Sequence, residues 1–497
     1  MIPMDTAAPI YLDYAATTPL DPAVIAAMTQ CLATDGGRGN PASLHGWGRR
    51  ASARIESARA EVAALIGAAA EDIVFTSGAT ESDNLAVLGA ARAAADRGRH
   101  LVSTRIEHKA ALDPCRRLQK EGFAVTLLAP DRTGRIDPQA LAAALRPETV
   151  LVSVMWVNNE TGVIQDVEAI GALCRERGIL FHTDAAQAVG KVPMAVRELP
   201  IDLMSFTAHK FYGPKGIGAL YVRAGVRARL QPLLYGGGQE RGLRPGTLAT
   251  HQIIGFGAAC TLARAALAHE PQRVAALRDR LWAQLQSLGG VHLNGAGAPR
   301  VAGLLNVSIE GVEGESLVTG LPELAVSTGS ACNSASAEPS YVLRALGRDT
   351  ELAQSSLRFS LGRFSQLADV EAAAAAVRRE VTRLRALSPA QEPQPPVSAV
   401  QLVGEAGGPG REVWIRFRLR VEAGRVSEAA YRVYGCPHTM AAAAWLAEQL
   451  PGRAVADMVP GTPQEWAAAL GTPVEKLGRL LTLEDALREC QRCGAAV

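Results

Sequence analysis

Three prolines within four residues, Pro393, Pro395 and Pro396, interrupt this 497-residue chain about 100 residues before its end. A helical pattern over Leu367–Leu387 stops at Ser388-Pro389 just ahead of them. Proline lacks the amide hydrogen that a helix needs and clashes with the preceding turn, so the stretch favours an extended, semi-rigid spacer. Two units that each bury their own core are therefore expected, residues 1–388 and 398–497, with 389–397 as the linker.

Composition bounds what these units do. With 48% apolar and 20% charged residues, the chain has enough apolar material for sizeable cores. Lys plus Arg total 51 against 49 for Asp plus Glu, a net charge of +2, which argues against nucleic acid or another polyanion as partner. No apolar run approaches the ~18 residues of a membrane span. The start, Met1-Ile2-Pro3-Met4-Asp5, lacks the charge and apolar stretch of an export signal. A cytoplasmic location is expected, and the eight cysteines are core fillers, nucleophiles or metal ligands before they are disulfides.

Before the break, short β-branched runs alternate with helical periodicity. Ile73-Val74-Phe75, Val150–Val154, Ile179-Leu180-Phe181 and Ala219–Val222 have the character of buried strands, and Val167–Arg177 that of a helix. Such alternation predicts an α/β fold on a mainly parallel or mixed sheet, with ligands bound in the loops at the carboxyl ends of strands.

Five polar motifs fall in such loops. Thr76-Ser77-Gly78-Ala79-Thr80-Glu81-Ser82 opens a helix and suits an anion, or is an ordinary helix cap. Asp184, in Phe181–Gln187, follows a strand where a buried carboxylate needs a cation, or caps the next helix. Lys210, in Ser205–Pro214, is placed for Schiff-base chemistry, although a lone lysine is usually a surface residue. Gly236–Arg241, continuing to Thr247, is an anion loop or a flexible hairpin. Cys332, in Ser327–Ser334, has only small and polar neighbours, which suits a mobile nucleophilic thiol. Cys31, Cys115, Cys174 and Cys260 lie within helical patterns and are expected to be non-catalytic.

The order of these motifs carries a resemblance. With Tyr11–Pro19, Gly39–Ser43, Glu107-His108-Lys109, Val157–Glu160, Glu338–Leu346 and Arg358–Arg363, residues 10–388 closely resemble the pyridoxal-phosphate cysteine desulfurases of the NifS/IscS group. That resemblance implies a type I pyridoxal-phosphate fold: a large domain (about 19–260) on a mixed, mainly parallel seven-stranded sheet, and a small α/β domain (about 1–18 and 261–388). It also implies a homodimer, L-cysteine as substrate, and a sulfur-acceptor or iron–sulfur scaffold protein as partner. Lys210 would hold pyridoxal 5'-phosphate and move the substrate Cα proton. Asp184 would pair with the pyridine nitrogen, His108 would stack on the ring, and Asn159 and Gln187 would reach its phenolic oxygen. Ala79, Thr80, Thr207 and His209 would hold the phosphate, joined by Thr247 from a partner subunit. Arg358, with Asn159, would bind the substrate carboxylate, and Cys332 would take the sulfur as a persulfide. Two departures, Trp156 for a frequent His and Thr207-Ala208 for Ser-Gly, leave cofactor binding intact because Thr keeps the hydroxyl and Ala is small. A selenocysteine lyase or a non-catalytic assembly platform remains the alternative.

After the linker, Val413–Val421 alternates as a half-exposed strand, a second strand ends at Tyr434-Gly435, and Cys436-Pro437-His438 leads into a helix over Thr439–Leu450. This small α+β layout resembles the IscU/NifU-type iron–sulfur scaffold. That family holds its cluster on three cysteines plus an Asp or His, and only Cys436 matches here. Gly407–Glu412 has no Cys or Asp, and Gly478-Arg479 stands where the family has His-Cys. The reading is a degenerate scaffold that accepts sulfur on Cys436 or docks intramolecularly. Cys332, through its persulfide, and Cys436 are the candidate metal ligands, and a site rebuilt from Cys436, His438, Cys490 and Cys493 is the route to an iron–sulfur cluster.

Overall fold

The computed structural model describes residues 8–33, 38–328, 339–387, 400–407 and 413–494. Strand β1 (Ile10–Tyr11) precedes seven strands of one sheet: β2 (Ile73–Thr76), β3 (His100–Thr104), β4 (Ala124–Leu128), β5 (Thr149–Ser153), β6 (Leu180–Asp184), β7 (Leu203–Thr207) and β8 (Gly218–Val222). Their order is β2-β8-β7-β6-β5-β3-β4. β8 runs antiparallel to both neighbours and every other pairing is parallel. This is the mixed, mainly parallel sheet expected from the strand–helix alternation.

Helices cover both faces, which is why every position of β2, β3, β5, β6, β7 and β8 is buried and apolar residues face both sides of the sheet. Ile73, Phe75, Phe181, Ala219 and Tyr221 join one core, while Val74, Leu180, Leu220 and Val222 join the core on the other face. Cys31, Cys115, Cys174 and Cys260 are all buried within helices.

A second layer follows. β9 (Val291–Leu293), β10 (Leu304–Ile309), β12 (Ser327–Thr328) and β13 (Ser356–Ser360) form an antiparallel sheet in the order β12-β13-β10-β9. β1 pairs in parallel with β11 (Leu324–Ala325), so the N-terminal segment is tied to this smaller unit. Its core gathers Leu305, Val307, Leu357 and Phe359 from the sheet with Val370, Val377 and Leu384 of the helix Leu367–Leu387.

The C-terminal unit is an antiparallel sheet of β14 (Val400–Gly407), β15 (Trp414–Glu422) and β16 (Arg425–Tyr434), packed on the helices Pro437–Gln449, Pro463–Leu470 and Leu477–Gly494. Ile415, Phe417 and Leu419 on the inner face of β15 meet Leu446, Trp466, Leu483 and Leu487. Its core contains no residue of the preceding units. Among the described residues no helix is long and apolar enough to cross a membrane.

Candidate active site

The carboxyl ends of the parallel strands open into a cavity of about 1430 Å3 that reaches solvent. Ala79, Thr80, His108, Asn159, Asp184, Gln187, Thr207, His209, Lys210 and Arg358 all line it. Residues spread over 280 positions of the sequence thus converge: most follow the end of a strand of the large sheet, and Arg358 reaches in from the middle of β13. Thr247 lines a different cavity, beside Arg59 and Glu240. Cys332 lies outside the described residues, and so does the 389–397 linker.

The helix Ala79–Ala93 begins directly after β2, so its first N–H groups face the cavity beside the Thr80 hydroxyl. Gly218 of β8 must be glycine here, because a Cβ would stand 2.7 Å from the Gly78 Cα. Thr207 lines the cavity with its hydroxyl proton on the Ile217 carbonyl at 3.0 Å, so it must turn that proton toward the cavity to serve an anion. His209 Nδ1 lies 3.2 Å from Thr17 Oγ1, and burial, then Lys210, push its pKa down to about 4, so the ring is neutral. Together these groups make an anion cradle, not merely a helix cap.

Lys210 stands on the turn after β7 and donates to the carbonyls of Ala15 at 2.8 Å and Ala16 at 2.7 Å. Across the cavity, Asp184 ends β6 and accepts from the Ala186 amide at 2.9 Å. Burial pushes the Asp184 carboxyl up, against the opposing pull of His108 and Lys210. Behind it lie two further buried carboxyls. Burial, then Asp184, pushes Asp83 well up, and neither Asp83 oxygen meets a hydrogen-bond partner in good geometry. Burial pushes Glu107 up to about 8 although Thr104 donates to it at 2.7 Å and the Met155 amide at 2.9 Å. His182, 3.5 Å from Asp83, is held near pKa 3 by burial and brings no compensating charge. Three buried carboxyls thus stand together here, and His108 and Lys210 are the groups whose charge acts on Asp184.

His108 caps the helix Lys109–Lys120, its Nδ1 accepting from the Ala110 amide at 3.1 Å, and burial lowers its pKa. Asn158 shapes the next turn: its Oδ1 accepts from the amides of Glu160 and Thr161 at 3.0 and 2.9 Å. Asn159 is thereby presented to the cavity with a buried Oδ1 that has no partner. Arg358 on β13 is 4% exposed. Its Nη2 donates to Asp13 at 2.8 Å and Ser327 at 3.1 Å, its Nη1 to the Asn159 carbonyl at 3.0 Å, and its Nε has no partner.

Asp13, Asp83, Glu107, Glu160 and Lys191 are the parts that sequence reasoning left without a role. Asp13, Glu107 and Glu160 stand inside the quoted motif blocks and Asp83 directly follows one, where a carboxylate was the available signal. Only the folded chain shows that Asp13 neutralises Arg358, and that burial pushes Glu160 up to about 7 although Ser340 donates to it.

In the C-terminal unit, Cys436 precedes the helix Pro437–Gln449 and is buried, its Sγ 3.4 Å from Thr439 Oγ1. Cys490 is buried in the apolar core with its Sγ against the Phe417 carbonyl, whereas Cys493 is exposed. The rebuilt site is therefore corrected. Although three residues apart on one helix, Cys490 is sunk in the core while Cys493 is exposed, and among the described residues no three His, Cys, Asp or Glu side chains are placed to share a metal ion.

Family comparisons agree with this geometry. The Aminotransferase class-V family model matches residues 10–373, and the NifU-like N terminal domain model matches residues 392–490. The chain belongs to the class-V aminotransferase family, whose cofactor is pyridoxal phosphate. Within it, the chain is an enzyme of the cysteine desulfurase type. It is 55% identical over 385 residues to "Cysteine desulfurase IscS" of Pectobacterium atrosepticum, covering 77% of this chain and 95% of the relative. To the protein of the same name in Pseudomonas aeruginosa it is 56% identical over 382 residues, with the same coverages. A solved structure described as a NifS-like protein superposes with a TM-score of 0.70 at 34% identity, covering 76% of this chain and all of that one.

The cavity fits the cofactor. A cradle of N–H and hydroxyl groups for a phosphate, a buried carboxylate for a pyridinium, and a lysine amine for a Schiff base all open into one space.

Proposed function

We propose that this chain removes sulfur from L-cysteine, releasing L-alanine and leaving a persulfide on Cys332 that is passed on for iron–sulfur cluster assembly or thio-cofactor synthesis. The observation that carries the reading is the shared cavity of Lys210, Asp184, His108 and Arg358.

Ala79, Thr80, Thr207 and His209 would hold the cofactor phosphate, Asp184 the ring nitrogen, His108 the ring face, and Asn159 and Gln187 the ring oxygen. When bound, pyridoxal phosphate supplies an electron sink for the substrate Cα. Arg358 holds the substrate carboxylate, its guanidinium kept in place by Asp13 and the Asn159 carbonyl. Lys210 Nζ takes and returns the Cα proton. The Cys332 thiolate attacks the substrate sulfur, the Cβ–S bond breaks, and its electron pair is protonated at carbon. Cysteine and the Cys332 thiol become alanine and the Cys332 persulfide, with no external oxidant.

The reading extends to a homodimer in which Thr247 completes the partner subunit's phosphate site, to a cytoplasmic location, and to two units divided at residues 389–397. Cys436, as acceptor of sulfur or ligand of a metal ion, would give the C-terminal unit its part. Cys436 is 1% exposed, so either role requires its thiol to become accessible. The Cys332→Ser variant tests the core of the proposal: the visible cofactor band should persist while alanine release from cysteine falls to background. Undiminished alanine release would refute it. A preference for selenocysteine over cysteine in the same assay would favour the lyase alternative.

A further inference from the structure

Lys191 has no role in the reaction so far described. It stands one turn beyond Gln187, in the segment that follows β6, and is largely enclosed. A second cavity of about 630 Å3, lined by Lys191, shares Ala15, Gln187 and Lys210 with the cofactor cavity. Lys191 Nζ donates to Gln187 Oε1 at 2.6 Å. Gln187 Nε2 in turn donates at 2.8 Å to the Ala15 carbonyl, which also accepts from Lys210 Nζ at 2.8 Å. One hydrogen-bonded chain therefore links Lys191 to the lysine that would carry the cofactor.

The chain settles which way the Gln187 amide faces. Below its pKa the Lys191 ammonium has three donors and no acceptor, so it tolerates only the carbonyl end of the amide; flipping the amide would set donors against donors. With Oε1 held by Lys191, the NH2 end turns the other way. One of its hydrogens serves Ala15 and the second is left for an acceptor in the cavity. An anionic ring oxygen can be bound by an N–H and is repelled by a carbonyl.

We propose that Lys191 is a positioning residue of the cofactor site, holding the Gln187 amide so that its N–H end meets the ring oxygen of pyridoxal phosphate. This rests on the assignment of Gln187 to that oxygen. Burial, then Lys210 and Arg358, push the Lys191 pKa down to about 7, and His209 feels its charge in return. Tyr14, Tyr212 and Glu270 are the other titratable groups that line the second cavity.

The test uses the full-length holoenzyme and reads the pH midpoint of its visible cofactor band. Loss of an oriented donor to an anion makes the deprotonated cofactor less stable, so Lys191→Met should raise the midpoint by about one pH unit. Lys191→Arg, which keeps the donors, should leave it near the native value. Against a Gln187→Ala background, Lys191→Met should add no further shift. Lys191→Gln, which also lacks the charge, takes its place if Lys191→Met does not fold. A native midpoint in the charge-free variant overturns the proposal, as does an equal shift with and without Gln187. If Gln187→Ala itself leaves the midpoint unmoved, the Gln187 assignment falls and the proposal with it; a shift in Gln187→Ala alone would refute only the part given to Lys191.

Discussion

Glu107 shows how burial turns one carboxyl into a pH-sensitive element. Its folded pKa is about 8, raised from an ordinary 4.5. Below about pH 4.5 both folded and unfolded chains hold this proton, so the group favours neither. Between there and about pH 8 the unfolded chain ionises freely while the folded one cannot, and stability falls as pH rises. In the cofactor-free protein, Glu107→Gln should therefore flatten the loss of stability between pH 5 and pH 8, with a gain at pH 8 on the order of a few kcal/mol at most. Glutamine keeps an oxygen for Thr104 and the Met155 amide. Urea unfolding at the two pH values checks this, and an unchanged slope would contradict it. The residue's importance could not be seen in Glu107-His108-Lys109 alone, because its burial comes from strands brought in from elsewhere in the chain.

Among the elements, the Gly-rich loop is the least regular and the most firmly held. Glu240 and Arg241 adopt left-handed backbone angles, φ 49° and 56°, that residues with side chains rarely take. The anchor is the Arg59 guanidinium from the helix Gly46–Ile66, which donates twice to the Glu240 carboxylate at 2.7 Å. The Phe75 amide of β2 adds a third bond at 2.8 Å. Glycines alone suggested a hairpin free to move; the buried pair ties it to the sheet. Glu240→Ala leaves the buried Arg59 with only the more exposed Glu56 as counter-ion and should cost up to about 3–5 kcal/mol in denaturant unfolding. Because Thr247 lies on the same segment, phosphate-dependent cofactor affinity should weaken as well, which an equilibrium titration with pyridoxal phosphate would measure.

Considered whole, the molecule has separate cores in its N-terminal units and a self-contained core in its C-terminal unit. Contact between the C-terminal unit and the rest includes Glu315 of the helix Gly314–Thr319, which pairs with Lys476 and, at 3.1 Å, with Arg479. Partly exposed pairs of this kind contribute only about 0–1 kcal/mol each. A chain ending near residue 390 should therefore fold, bind pyridoxal phosphate and release alanine from cysteine at close to the native rate when a small thiol takes the sulfur. Loss of cofactor binding on truncation would show that the C-terminal unit is part of the catalytic fold. In the full chain, Glu315→Lys should leave the thermal midpoint of the catalytic unit within about 2 °C, since one surface pair is a small part of a large domain's stability.

By itself the sequence determined the class of sheet and marked Asp184, Lys210 and Thr80 as lying at strand ends. Hydrophobic periodicity and strand-end motifs are local properties, and Asp184, Lys210 and Thr80 stand where those properties put them. The helix Leu367–Leu387 was legible to the residue because proline ends it. Tertiary structure alone decided which charges meet: Asp13 with Arg358 and Glu240 with Arg59. It also decided that Cys490 faces a core and not a metal. Pairings across 170 or more positions and the cost of burying a charge depend on what the fold brings alongside, and no window of sequence contains that neighbour.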